Sequence, residues 1–319
     1  MKKVIAVLLL LMLLVTNCAL ADGYVPSKDM NIRVPFAAGG SADTMARIVA
    51  QGLQETFGKT VFINNLTGAN GMIAAADMAS VKADATEMMV GGIAMFTMAP
   101  LFNSDVSLKL EDYQIVTGLN SENQMLFVNP AETGIRDWAD LVEYAKDHRI
   151  IVGCDAPGGA SHMLMTVLFG EAGITAEAVT SSGGAQNLLA LAGGNVVCGL
   201  APSSVGTQYV EEGTLIPIVV FDEVPYTGYE GIEVPTAQSF GYNIVFKTCN
   251  FIMTSKDSEP AEVEAIYQAI LAYSETEDFK TLAANANWEP VLADGETVRA
   301  NIEAARALCE YGFNTYYAK

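Results

Sequence analysis

The residues in this chain best placed to do chemistry offer backbone groups more than side chains. Val34-Pro35-Phe36-Ala37-Ala38-Gly39-Gly40-Ser41-Ala42-Asp43 runs a short apolar strand into a small-residue loop and then into a helix. Gly39 and Gly40 have no Cβ, so the main chain there can turn sharply and be approached closely. The first N–H groups of the helix lack intrahelical partners, and the helix dipole adds partial positive charge. A carboxylate, phosphate or sulfate would be satisfied at such a place. The same pattern also fits an ordinary strand-to-helix turn in which the glycines supply tightness. Asp43, in the first helical turn, has three roles open to it: favouring the dipole, bonding its own loop, or accepting from a ligand hydroxyl or ammonium.

The arrangement recurs. Asp155-Ala156-Pro157-Gly158-Gly159-Ala160-Ser161-His162 again joins strand, glycine loop and helix, and Ser181-Ser182-Gly183-Gly184 forms a third such loop. Met95 and Phe96 follow a strand ending in Gly91-Gly92 and are candidates to line a cleft. Catalytic constellations are scarce: there is no G-x-S-x-G, P-loop, strand-borne G-x-G-x-x-G or H-E-x-x-H. Ser161 and His162 are adjacent, and neighbours on a helix point in different directions, so His162 reads as a pocket-shaping residue at a helix start. With 2 histidines in the chain, a histidine-rich metal site is excluded, and no cofactor is expected.

These loops need elements to hold them. Met45, Ile48, Val49, Leu53 and Phe57 recur at helical spacing, with Ser41 as the expected N-cap and Gly58 as the stop. Strands are expected over 60–64, 88–92, 150–154, 177–181, 196–201, 215–221 and 246–254, with helices reaching about Ala83, capped by Asp137, and beginning near Glu259. This alternation predicts an α/β architecture in two units: residues 22–125 with 250–319, and residues 126–249. Ligands in open α/β sheets bind beyond the carboxyl ends of strands, which makes the cleft between the units the expected site.

Lys2 and Lys3, an apolar run over 4–15 and Ala19-Leu20-Ala21 read as an export signal cleaved after Ala21. Lipid attachment at Cys18 is the alternative. Of 17 basic residues the signal removes two, leaving 15 against 37 acids. That surface repels nucleic acid and anionic lipid, so an anionic ligand must be held by local N–H groups and helix ends. Cys154, Cys198, Cys249 and Cys309 remain, as buried thiols or as disulfides.

The ordered set of segments resembles the substrate-binding proteins of tripartite tricarboxylate transporters, also described as Bug receptors. The resemblance is carried by Ile32 to Asp43, Asn65-Leu66-Thr67-Gly68-Ala69-Asn70-Gly71, Gly158 to His162, Ser182-Gly183-Gly184-Ala185, Leu191-Ala192-Gly193-Gly194 and Val234-Pro235-Thr236. It covers nearly the whole mature chain and implies a two-lobed, type II periplasmic-binding-protein-like fold with crossing strands between the lobes. It also implies a monomeric, non-enzymatic receptor that closes on a small organic carboxylate and delivers it to membrane permease subunits. By position, it assigns ligand binding to Phe36, Ala38, Gly39, Gly40, Ser41 and Asp43 in the first loop. In the second it assigns Gly158, Gly159, Ala160, Ser161 and His162, with Ser182, Gly183 and Gly184 as a further wall. Thr180-Ser181 stands where the family often has Pro-Tyr, and residues 83–87 lack the usual glycine and aromatic. A more polar or roomier pocket is therefore expected, and ligand identity is not inherited. Two rivals remain: a carboxylate sensor docking a membrane signalling protein, and a secreted α/β enzyme using Ser161 and His162.

Overall fold

The computed structural model describes residues 24–82, 84–103, 108–155, 157–181, 183–286 and 288–317. The export signal, its cleavage after Ala21 and the alternative anchor at Cys18 lie outside the described residues, as does Ser182. Among the described residues no helix is long and apolar enough to cross a membrane.

Two sheets divide the strands. The first contains β1 (Met30–Val34), β2 (Val61–Asn65), β3 (Glu87–Gly92), β4 (Tyr113–Gly118) and β13 (Asn250–Ser255), in the order β2-β1-β3-β13-β4. Strands β1, β2 and β3 run parallel, and β13 lies antiparallel between β3 and β4. β3 is buried at every position, as a central strand covered on both faces must be. The second sheet contains β5 (Glu122–Val128), β6 (Ile150–Asp155), β7 (Ala176–Ser181), β8 (Cys198–Pro202), β9 (Ile216–Val220) and β12 (Lys247–Thr248), with β12 and β9 both pairing β5. A short hairpin, β10 (Tyr226–Tyr229) and β11 (Ile232–Val234), hangs beside it.

Helices cover both faces. In the first lobe they are α1 (Ser41–Phe57), α2 (Met72–Ala79), α3 (Ile93–Thr97) and α4 (Ala99–Phe102). In the second they are α5 (Trp138–Tyr144), α6 (Ala160–Glu171), α7 (Gly184–Ala192) and α8 (Ser203–Glu211). Then α9 (Pro260–Ser274), α10 (Glu277–Asn285) and α11 (Gly295–Gly312) return to the first lobe, and a π-helical turn, Phe313–Tyr317, follows. The Asp137 cap is present, its Oδ1 accepting from the Asp140 N–H at 2.8 Å.

The chain crosses between sheets twice. It leaves β4 at Gly118 and is already paired in the second sheet at Glu122, slightly before the expected division after residue 125. The strand expected over 246–254 is two strands: β12 pairs β5, and after Cys249 β13 joins the first sheet. Helix α2 stops at Ala79 rather than near Ala83, where the Ser80 hydroxyl turns back to donate to Asp77 O at 2.7 Å. The C-terminal helix packs against β4 and α3 of the first lobe and ends against α6 of the second, placing Gly312 beside Met163. One apolar cluster accordingly runs through both lobes, from Met89, Phe96 and Phe251 through Ile302 and Cys309 to Leu168 and Phe221.

Gly91 sits where β3 meets β13, and a Cβ there would stand 2.2 Å from the Phe251 ring. Gly91→Ala is therefore expected to lower stability by about 1–3 kcal/mol through overpacking. Urea unfolding midpoints of the two proteins check this; equal midpoints would mean the Phe251 ring yields freely.

Candidate functional site

The first glycine loop is held from behind. Gly40, extended at φ −75° and ψ 168°, is the N-cap of α1, and Ser41 is the first helical residue rather than the expected cap. Asp43 Oδ2 instead reaches back past the cap and accepts from the Gly39 N–H at 2.8 Å. That contact holds Gly39 at φ +79°, a conformation suited to glycine. Asp43 also accepts from Arg47 Nε at 2.9 Å and Asn65 Nδ2 at 2.9 Å. Burial opposes its ionisation, but the bonds from Arg47, Gly39 and Asn65 prevail and hold its carboxyl below the usual range. Of the roles open to Asp43, the geometry is that of a loop brace, buried and fully partnered. No side chain caps α1, so the N–H groups of Ser41, Ala42 and Asp43 lack intrahelical partners.

The second loop has a different brace. Ser161 Oγ accepts from the Asp155 N–H at 2.7 Å, and Asp155 Oδ2 accepts from the Ser161 N–H at 3.2 Å. Gly158 turns the loop at φ +91°, and a Cβ there would lie 3.4 Å from the Phe102 ring across the interlobe gap. Ser161 and His162 are both buried, and they point apart: His162 Nδ1 meets the Tyr317 hydroxyl of the C-terminal turn. Burial pushes the His162 pKa down, against the pull of Asp155. The structure thus brings no nucleophile–base contact together at this pair. In the third loop Ser181 Oγ accepts from the Gly183 N–H at 3.1 Å and donates to Asn187 Oδ1 at 2.7 Å. Ser181 is therefore a loop staple.

Between the lobes lies a cavity of ≈ 540 Å³. From the first lobe it is walled by Pro35 and Phe36, by Gly68, Ala69 and Gly71, and by Met95 and Phe102; from the second, by Asp155, Gly158 and Gly159. Of the residues assigned to ligand binding from the sequence, Phe36, Gly158 and Gly159 line this cavity directly. Ala38, Gly39, Gly40 and Ser41 are exposed on the loop beyond Phe36, Ala160 is half-buried at the first position of α6, and Gly183 and Gly184 lie off the cavity wall. Met95 lines it, whereas Phe96 turns into the core against Tyr113 and Phe251. Phe102 is unmarked in the sequence, and Ala69 and Asp155 figure there only as members of the segments 65–71 and 155–162. Ala69 carries a signal visible only in the backbone, φ +46° in a residue that is not glycine.

All four described cysteines are free and buried. Burial raises the thiols of Cys154, Cys249 and Cys309 to about 12 and that of Cys198 further, so these groups are inert at neutral pH. Among the described residues no cluster of three or more histidine, cysteine or acidic side chains could hold a metal ion.

A family model described as the tripartite tricarboxylate transporter family receptor matches residues 45–306. A relative from Agrobacterium vitis, a UPF0065 protein in the TAR-I ttuE-ttuC' intergenic region, is 32% identical over 197 residues, which is 61% of this chain and 56% of the relative. The match thus spans little more than half of that relative's length. A TctC solute binding protein from Polaromonas, solved with no ligand, superposes with a TM-score of 0.80 at 21% identity, covering 91% of this chain and 99% of the other. R. palustris Rpa4515 with adipate superposes at 0.72 and 22% identity, covering 91% and 97%. These likenesses establish the two-lobed solute-binding fold.

Two outcomes follow from the braces. Asp43→Ala is expected to cost about 2–3 kcal/mol, since it strands the Gly39 and Asn65 donors and removes the partner of Arg47; chemical unfolding measures it. His162 is kept neutral by burial, so its folded pKa lies below the unfolded value of 6.5. Above that value neither state carries the proton and stability is unaffected. As pH falls below it the unfolded state takes up the proton first, and stability drops by at most about 1.4 kcal/mol per pH unit. Urea melts between about pH 7.5 and 5.5 should show this slope in the parent and lose it in His162→Asn.

Proposed function

The chain belongs to the tripartite tricarboxylate transporter receptor family, and from that membership we propose that it is an exported receptor that captures a small organic carboxylate between its lobes. The observation that carries the reading is the cavity itself: ≈ 540 Å³ of glycine, aromatic and apolar wall, bordered by two glycine loops that each open a helix. Its size lies within the range of small-molecule sites. A neighbour of the same fold carries adipate, which is in keeping with this class.

The mechanism is binding without chemistry. Loop 36–43 reaches the cavity at Phe36, and once closure brings the residues beyond it to the ligand, its backbone and the first-turn N–H groups of α1 supply donors and helix-end potential for a carboxylate. Phe36, Met95 and Phe102 cover the carbon frame. Closure brings loop 157–162 against the first lobe and removes water, which strengthens each hydrogen bond made to the ligand. A solute lacking the carboxylate leaves buried donors unpaired, at about 1–3 kcal/mol each, and that difference is the selectivity. In this reading the lobes are residues 22–125 with 250–319 and residues 126–249, except that residues 122–125 run with the second sheet. The mature chain works in the periplasm as a monomer, and the closed form docks on membrane permease subunits of a tripartite tricarboxylate-type transporter.

Isothermal titration of the ligand-stripped mature protein against mono-, di- and tricarboxylates is expected to find at least one that binds with saturable heat. Gly158→Val, strained at φ +91° and forced toward Phe102, should weaken that binding by about tenfold or more. Neutral solutes binding while every carboxylate fails would refute the proposal.

A further inference from the structure

Asp155 and Asp43 occupy comparable places, each bonding a backbone N–H of its own glycine loop, yet their electrostatic situations differ. Asp43 is neutralised by Arg47 and turned away from the cavity. Asp155 lines the cavity, and it is the one ionisable side chain among the described residues that do so. Its partners are the two groups of Ser161, both uncharged, and among the described residues no lysine or arginine forms an ion pair with it. His162, which feels its charge, is held neutral by burial.

Resting on the receptor reading above, we infer that Asp155 is the specificity-determining side chain of the cleft, selecting a ligand that carries a protonated amine as well as a carboxylate over the bare dicarboxylate of the same carbon frame. The carboxylate of Asp155 already occupies the N-terminal end of α6, bonded to the Ser161 N–H. A ligand anion placed there would meet a fixed like charge in a site that closure makes less polar. The ligand's carboxylate is therefore directed away from α6, toward the first-lobe wall at Phe36 and Gly68, Ala69 and Gly71, which carries no ionisable side chain. The end of the ligand facing α6 must then be a donor. A protonated amine supplies both hydrogen bonds and the counter-charge that a half-buried carboxylate without an ion-pair partner lacks. A hydroxyl supplies hydrogen bonds alone. A second ligand carboxylate adds to the negative charge with no cationic side chain in the wall to meet it.

Succinate, malate and aspartate share a four-carbon frame and differ at one position by hydrogen, hydroxyl and ammonium, and adipate and 2-aminoadipate form a second matched set. Titration of each into the ligand-stripped mature protein is expected to rank the amine-bearing member of a set at least about tenfold tighter than its bare dicarboxylate, with malate between. Asp155→Asn keeps an acceptor for the Ser161 N–H and removes the charge, and it should bring the members of a set within about threefold of one another. A bare dicarboxylate that binds the parent protein as tightly as its amine counterpart overturns the inference and leaves the receptor reading intact. So does a preference that survives in Asp155→Asn. If that variant does not fold, the ratio in the parent protein decides alone. Failure of every carboxylate, with or without an amine, overturns the receptor reading and the inference together.

Discussion

The two crossings between sheets are clasped by one buried amide, and the geometry of the cleft follows from it. Asn120 Oδ1 accepts from both the backbone N–H of Asn250, at 2.8 Å, and its side-chain Nδ2, at 3.3 Å. The Leu119 N–H donates in turn to Asn250 O at 2.8 Å, and Trp288 Nε1 donates to Leu119 O at 2.9 Å. A chain passing between two sheets leaves ladder partners behind, and its backbone groups would be orphaned in the interior. Here each crossing satisfies the other, so the crossings stay adjacent and the lobes can only meet along one line. The carboxyl ends of β1, β3 and β6 then face a common space, and every residue of the cavity wall follows from one of those ends or from the β2–α2 loop.

For the proposed receptor, a formal charge of −20 and an anionic ligand require the global field to be separated from the local one. In that reading the anion is held by main-chain dipoles, which cost no side-chain charge and carry no counter-charge to be neutralised. The acids nearest the glycine loops are spent inside them: Asp43 fixes Gly39, and Asp155 fixes the start of α6 through Ser161. Both are rigid because each takes a backbone donor that the turn would otherwise leave unsatisfied. Arg47 and Asn65 then make the first brace electrically quiet, whereas the second keeps its charge at the cavity wall.

Much of this was legible in the sequence, for identifiable reasons. Helix α1 announces itself by apolar residues at helical spacing and a terminal glycine, and its buried face is Met45, Ile48, Val49, Leu53 and Phe57 as the spacing requires. The glycine loops were legible because glycine at a strand end has few other uses. The identity of the cap was not: Ser41 has the right chemistry, but Gly40 takes the extended cap conformation and Asp43 reaches further back. The break at Cys249 was hidden because no glycine or proline separates the two strands, and only the sheet each one joins distinguishes them. Phe102 and Ala69 escaped for the same reason, since an aromatic in a short helix and an alanine in a turn carry no periodicity that marks them as cavity wall.

The C-terminal segment adds a constraint that a simple two-lobed scheme omits. Helix α11 packs on the first lobe, yet the turn beyond it reaches the second: Tyr317 bonds His162 and stands 2.7 Å from the Thr166 hydroxyl, and Tyr316 donates to Glu171 at 3.0 Å. Phe102, at the cavity wall, stacks edge-on against Phe313 and Tyr317, with ring centroids 5.2 Å and 5.0 Å away. A rotation of one lobe about the Asn120–Asn250 clasp that left this segment fixed to both would shear an apolar cluster shared by the two lobes. Packed interiors do not deform continuously; they rearrange between discrete arrangements. In the proposed receptor, closure on a ligand therefore carries the C-terminal turn with α6 and flexes the chain near Gly312, whose missing Cβ lets Met163 and Val167 sit directly against the backbone. The aromatic wall formed by Phe102 then moves relative to Gly158 as the lobes turn, which couples the shape of the cavity to the position of a segment that lies wholly behind it.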